Sequence, residues 1–77
     1  MGEQELINEL QNTLSEMLEK IGEQYPNHTS TEYIVRYLDT LVASCNFWSK
    51  ANNGWRIIYD IDNAIAHLSS CFPVNDF

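Results

Sequence analysis

A chain of 77 residues makes one domain, and at that length only about 60% of the unfolded surface can be buried, so its stability is modest. Eleven acids against four lysines and arginines leave a net charge of −7, which argues against direct binding to nucleic acid or to an anionic membrane. No stretch approaches the roughly 18 consecutive apolar residues of a membrane span.

The N-terminus lacks the basic-then-apolar order of a signal peptide, and Leu6 stands where an acylation signal beginning Met1-Gly2 needs Ser or Thr. A cytoplasmic address is therefore expected, and the sequon Asn27-His28-Thr29 carries no weight without secretion. The first helix is predicted over about 3–24, with Ile7, Leu10, Leu14, Met17 and Ile21 as its apolar ladder and Pro26 preventing continuation. Its glutamates are patterned too. Glu5, Glu9, Glu16, Glu19 and Glu23 follow three-four spacing and are offset by about 160° from the ladder, which makes an outward carboxylate ridge. Residues 1–25 carry a net charge of −5 and the remainder only −2. Two readings fit the ridge: a docking face for a basic groove on a partner, or a solvated face that keeps a small protein soluble.

The second helix is predicted over about 30–51, started by a capping box in which Thr29 and Glu32 satisfy each other's end of the first turn. Ile34, Leu38, Leu41, Cys45 and Trp48 form its ladder, flanked by Tyr33, Tyr37, Val42 and Phe47. Asn52-Asn53-Gly54 tolerates left-handed backbone and turns the chain, and so short a turn makes its flanking helices antiparallel neighbours. The third helix is predicted over about 55–71, with Ile58, Ile61, Ile65, Leu68 and Phe72 as ladder, followed by Pro73 and a loose tail over 73–77. Read in alternating directions the ladders fall into layers, from Ile7/Trp48/Ile58 through Leu14/Leu41/Ile65 to Ile21/Ile34/Phe72. The expected fold is all-α, a single antiparallel up-down-up three-helix bundle over 1–77. In that register Cys71 lies about 15 Å beyond the position facing Cys45, too far for a disulfide. Both thiols are expected free, Cys45 inside the core, with Cys71 open to an intermolecular bond.

At one end of the bundle Phe47 is expected to face Tyr59, with Trp55 close by and Lys50 and Arg56 flanking. Aromatics beside an arginine anchor protein interfaces, and the competing reading is a plug that seals the bundle. Tyr33, Tyr37, Val42 and Ile57 widen the apolar arc on helices two and three beyond what a lone bundle requires, which suits a homo-oligomer or partner face and equally suits cover for the interhelical grooves. Asp60, Asn63 and His67 share a helix face but fall short of a zinc or calcium set, His28 is a surface residue, and no glycine-rich phosphate loop exists. No nucleophile, base and orienting group fall together. No enzyme, metal or cofactor is expected.

Phosphates along a DNA strand are about 7 Å apart, and carboxylates three or four residues apart on a helix have similar separations. In size and charge the chain resembles small phage-encoded anti-defence proteins, including some anti-CRISPR proteins, a resemblance that transfers no residue. The ridge itself carries the leading expectation: an inhibitor that binds a basic, nucleic-acid-handling protein as a nucleic-acid mimic, through Glu5, Glu9, Glu16, Glu19 and Glu23 with Phe47, Trp55 and Tyr59 as further contacts. Two alternatives stand beside it. One is a structural, oligomerising protein that uses the apolar face of helices two and three. The other is a sequestrant of a small ligand or nucleotide at a subunit interface where Arg36, Lys50 or Arg56 converge.

Overall fold

The computed structural model describes residues 2–75. Three helices account for most of them: α1 over Glu3–Gln24, α2 over His28–Lys50 and α3 over Gly54–Cys71. The chain is all-helical among the described residues, and α3 packs against both other helices. Parallel and antiparallel neighbours follow from the short connections. Glu3 lies against Gly54 where α1 and α3 begin, and Gln24 bonds Asn75 where they end. Both pairs are 51 residues apart, the separation expected for Ile7 with Ile58 and Ile21 with Phe72. On the other side Tyr33 meets His67 and Ser44 meets Asp60, so α2 runs against α3.

Burial is less even than the layered reading anticipates. The fully enclosed side chains are Met17, Ile21 and Leu68, joined by Ile7, Leu14, Ile61, Ala64 and Phe72. All come from α1, α3 and the residue capping α3. No residue of α2 is buried, and Ile34, Leu38, Leu41, Cys45 and Trp48 are only half-buried. The cause is geometric: α1 and α2 scarcely meet, each leaning on α3 instead. The molecule is correspondingly flattened, with extents of 37 × 24 × 15 Å. Cys45, expected in the core, is half-buried and free, as is the exposed Cys71.

Two local expectations are corrected. The N-cap of α2 is Asn27, whose Oδ1 accepts from the Ser30 backbone N–H at 2.8 Å, so the helix begins two residues early and Thr29 falls inside its first turn. Glu32 does not reach back to Thr29; it pairs with Arg36 at 2.6 Å and with the exposed His28 at 3.4 Å. Asparagine outranks threonine as a cap, and capping from Asn27 gives the helix extra residues. Asn27→Ala is thus expected to cost about 1 kcal/mol and Thr29→Ala almost nothing, measured by urea denaturation. The tail is also not loose through Asn75. Tyr25 donates its O–H to the Pro73 carbonyl at 2.6 Å, Asn75 and Gln24 bond twice at 3.2 and 3.4 Å, and Val74 packs on the core. Asp76 and Phe77 lie outside the described residues. In the second turn Asn52 takes the left-handed conformation (φ 58°), while Asn53 caps α3 by accepting from the Arg56 N–H at 3.2 Å.

Candidate functional site

All five ridge glutamates, Glu5, Glu9, Glu16, Glu19 and Glu23, are exposed. Among the described residues none lies within ion-pair distance of a lysine, arginine or histidine, whereas Glu32 and Asp60 both do. The ridge therefore presents its carboxylates to solvent without a close ion pair, with Lys20 the one cation on that face of α1, a turn from Glu16 and Glu23. Glu3 stands apart from it. Its carboxylate occupies the space where a Cβ on Gly54 would be, at the positive end of the α3 dipole, which favours a negative group.

The aromatic end is open rather than a plug. Phe47 is 62% exposed, Trp55 60% and Tyr59 55%. Phe47 stands edge-on to the half-buried Trp48 at 4.8 Å. The residue that ties this end together is Arg56, with its guanidinium 5.1 Å from the Trp48 ring and 4.9 Å from the Tyr59 ring. Each such contact is worth about 0.5–1 kcal/mol at an exposed site. Its Nε also approaches Asp60 at 3.8 Å. Arg56 and Arg36 are thus both engaged within the chain. The cluster sits where α1 and α3 begin, the end that carries Glu5, while Glu23 lies at the other.

A shallow cleft of about 320 Å³ follows the α2/α3 seam, lined by Tyr37, Ser44, Arg56, Tyr59, Asp60 and Asn63. Ser44 donates its hydroxyl to Asp60 Oδ2 at 2.5 Å, and Arg56 Nε stands on the side of the other carboxylate oxygen. Further along, Tyr33 and His67 Nε2 share a hydrogen bond of 2.7 Å, the Tyr37 ring stacks on His67 at 4.9 Å, and Cys71 Sγ lies 3.6 Å from the same nitrogen. This cluster is missed by the sequence reading, which weighs His67 only against Cys45 and a metal set. The four-residue spacing of His67 and Cys71 is the signal that marks half of it. No group of three or more His, Cys, Asp or Glu side chains gathers for a metal among the described residues.

The two thiols stand in different surroundings. Burial pushes the Cys45 thiol up, and the neighbouring Asp60 carboxylate adds to it, so less reactive thiolate forms near neutral pH. Cys71 is exposed beside an imidazole. Iodoacetamide at pH 7.5 is expected to alkylate Cys71 first, read by peptide mass spectrometry, and equal rates at the two sites would contradict this placement.

A second, apolar groove opens between α1 and α2. About 350 Å³ in volume, it is floored by Ile61 of α3 and walled by Leu14, Leu38, Leu41, Val42 and Cys45. The surplus apolar surface expected on helices two and three is placed here for Val42, which is 57% exposed, whereas Ile57 packs on the core. No helix among the described residues is long and apolar enough to cross a membrane. Comparison with known proteins finds no matching family model and no significantly similar curated protein or solved structure.

Proposed function

We propose that the protein is a non-enzymatic binding module whose α1 carboxylate ridge engages a basic surface on a partner protein that handles nucleic acid, acting there as an inhibitor that occupies the phosphate-binding site. The observation that carries this reading is the exposure, without a close ion pair, of Glu5, Glu9, Glu16, Glu19 and Glu23 along one face of a 22-residue helix that holds Lys20 as its single cation. A row of unpaired carboxylates attracts a cationic groove at long range and repels competing polyanions. The open aromatics Phe47, Trp55 and Tyr59 supply anchors near the Glu5 end. Affinity capture from a cell lysate at low and high salt tests it. Recovery of a basic, nucleic-acid-binding protein at low salt and its loss at high salt supports the reading; recovery of nothing but the chain itself overturns it.

A further inference from the structure

The groove between α1 and α2 is the space a fourth helix would fill, and the geometry points to α2 of a second copy of this chain as that helix, in a two-fold symmetric antiparallel dimer. Helices α1 and α2 scarcely meet, each leaning on α3, and no residue of α2 is buried.

Self-complementarity selects a second copy over an unrelated partner. On α2 the groove is lined by Leu38, Leu41, Val42, Cys45 and Asn46, and the stripe that continues it along the helix is Thr31, Val35, Leu38, Val42, Cys45 and Ser49, spaced by alternating fours and threes, the heptad pattern of a helix seam. The order is palindromic in character as well as in spacing. When two copies are laid antiparallel about an axis near position 40, Leu38 faces the second copy's Val42, Val35 faces its Cys45 and Thr31 faces its Ser49. Apolar residues meet apolar ones at the centre, and small hydroxyls meet at the ends. An isologous interface requires this kind of match, since one patch must fit itself. The stripe runs about 27 Å along the helix at 1.5 Å per residue, and the face between α1 and α2 is about two helix diameters wide. A strip of that size is on the order of 600 Å² per partner, at the low end for a specific interface.

Charge permits the approach of two chains that each carry −7. The α2 stripe itself holds no charged residue, Asp39 flanks it about 80° round the helix close to the two-fold axis, and the α1 bank of the groove is formed by Gln11 and Leu14. Glu9 and Glu16 stand about 140–160° round the helix from Gln11, Glu5 and Glu23 about 120° and Glu19 about 80°, so docking through the groove keeps most of each ridge outward and leaves Glu19 at its flank. Salt should act on this contact in the opposite sense to ridge binding. Screening relieves repulsion between like-charged chains, so self-association holds or strengthens as salt rises.

Light scattering on the purified full chain at about 100 μM, well above the micromolar constants that standard interfaces reach, reads the outcome directly. A mass of twice 8.9 kDa, retained at high salt, is expected. Val42→Glu and Val35→Glu place an unpaired carboxylate in the contact at positions already 57% and 51% exposed in one chain, so each fold survives, checked by circular dichroism. Each should weaken dimerisation by about a hundredfold or more. Ala43→Glu adds the same charge on the outer face of α2 and should leave the dimer intact. A monomeric wild-type chain, a dimer indifferent to Val42→Glu and Val35→Glu, or equal dissociation by Ala43→Glu would each overturn the assignment.

Discussion

Leu68→Ala is expected to lower the free energy of unfolding by about 2–5 kcal/mol, and Ile21→Ala by a similar amount, among the largest stability losses in this chain. Both side chains are fully enclosed, at 0% exposure, and both stand where α1 meets α3. A 77-residue chain has about 4–12 kcal/mol to lose in total. Either truncation therefore removes a large share, because it forfeits the transfer of three carbons and leaves a cavity that two packed helices cannot close. With a urea dependence near 1 kcal/mol per molar for a domain of this size, the midpoint of the helical transition should fall by about 2–5 M. A loss below about 1 kcal/mol at Leu68 would mean that α3 does not sit between its neighbours as described. Leu38→Ala removes the same atoms from α2, yet Leu38 is only half-buried in one chain. Its cost in the monomer should be about half as large, and a concentration-dependent part above that would belong to the contact between copies.

The α1/α3 register is legible in the sequence because both ladders consist of large aliphatic residues on narrow faces, leaving one way to align Ile7 with Ile58 and Ile21 with Phe72. The outward direction of the glutamates follows from the same periodicity. Helix α2 is harder to read. From Val35 round to Phe47 its apolar residues cover about two thirds of the circumference at 100° per residue, so no single facing direction is specified. That ambiguity is itself physical, since a helix with too wide an apolar arc has more surface to bury than one neighbour can cover. Its start is ambiguous for another reason: Asn27 and Thr29 both carry capping side chains, and the choice depends on how much chain the turn after Pro26 can spare. The anchoring of Asn75 by Gln24, and the Tyr33–His67 bond, link residues 51 and 34 apart, beyond any local pattern.

Replacing Glu5, Glu9, Glu16, Glu19 and Glu23 together by Gln is expected to abolish capture of the basic partner while leaving the helix content and the unfolding midpoint nearly unchanged. The substitutions take the net charge from −7 to −2. Their cost to the fold is small because none of the five is buried or ion-paired among the described residues. Glutamine propagates a helix about as well as glutamate. Losing Glu5 from the first turn of α1 forfeits about 0.3–1 kcal/mol of dipole interaction, and losing Glu23 near the C-terminus returns a similar amount. Binding responds differently. Exposed ion pairs contribute about 0.2–1 kcal/mol each and closely docked ones more, so five lost together amount to about 1–5 kcal/mol, roughly five- to several-thousandfold in affinity. The salt dependence discriminates further. Wild-type binding should weaken steeply as the screening length falls from about 8 Å at physiological ionic strength to about 3 Å at 1 M, and whatever binding the five-fold variant retains should be nearly flat. A partner held equally well by the variant would show that the ridge only keeps the protein in solution, and recognition would then have to run through the aromatic end, where Phe47, Trp55 and Tyr59 stand open.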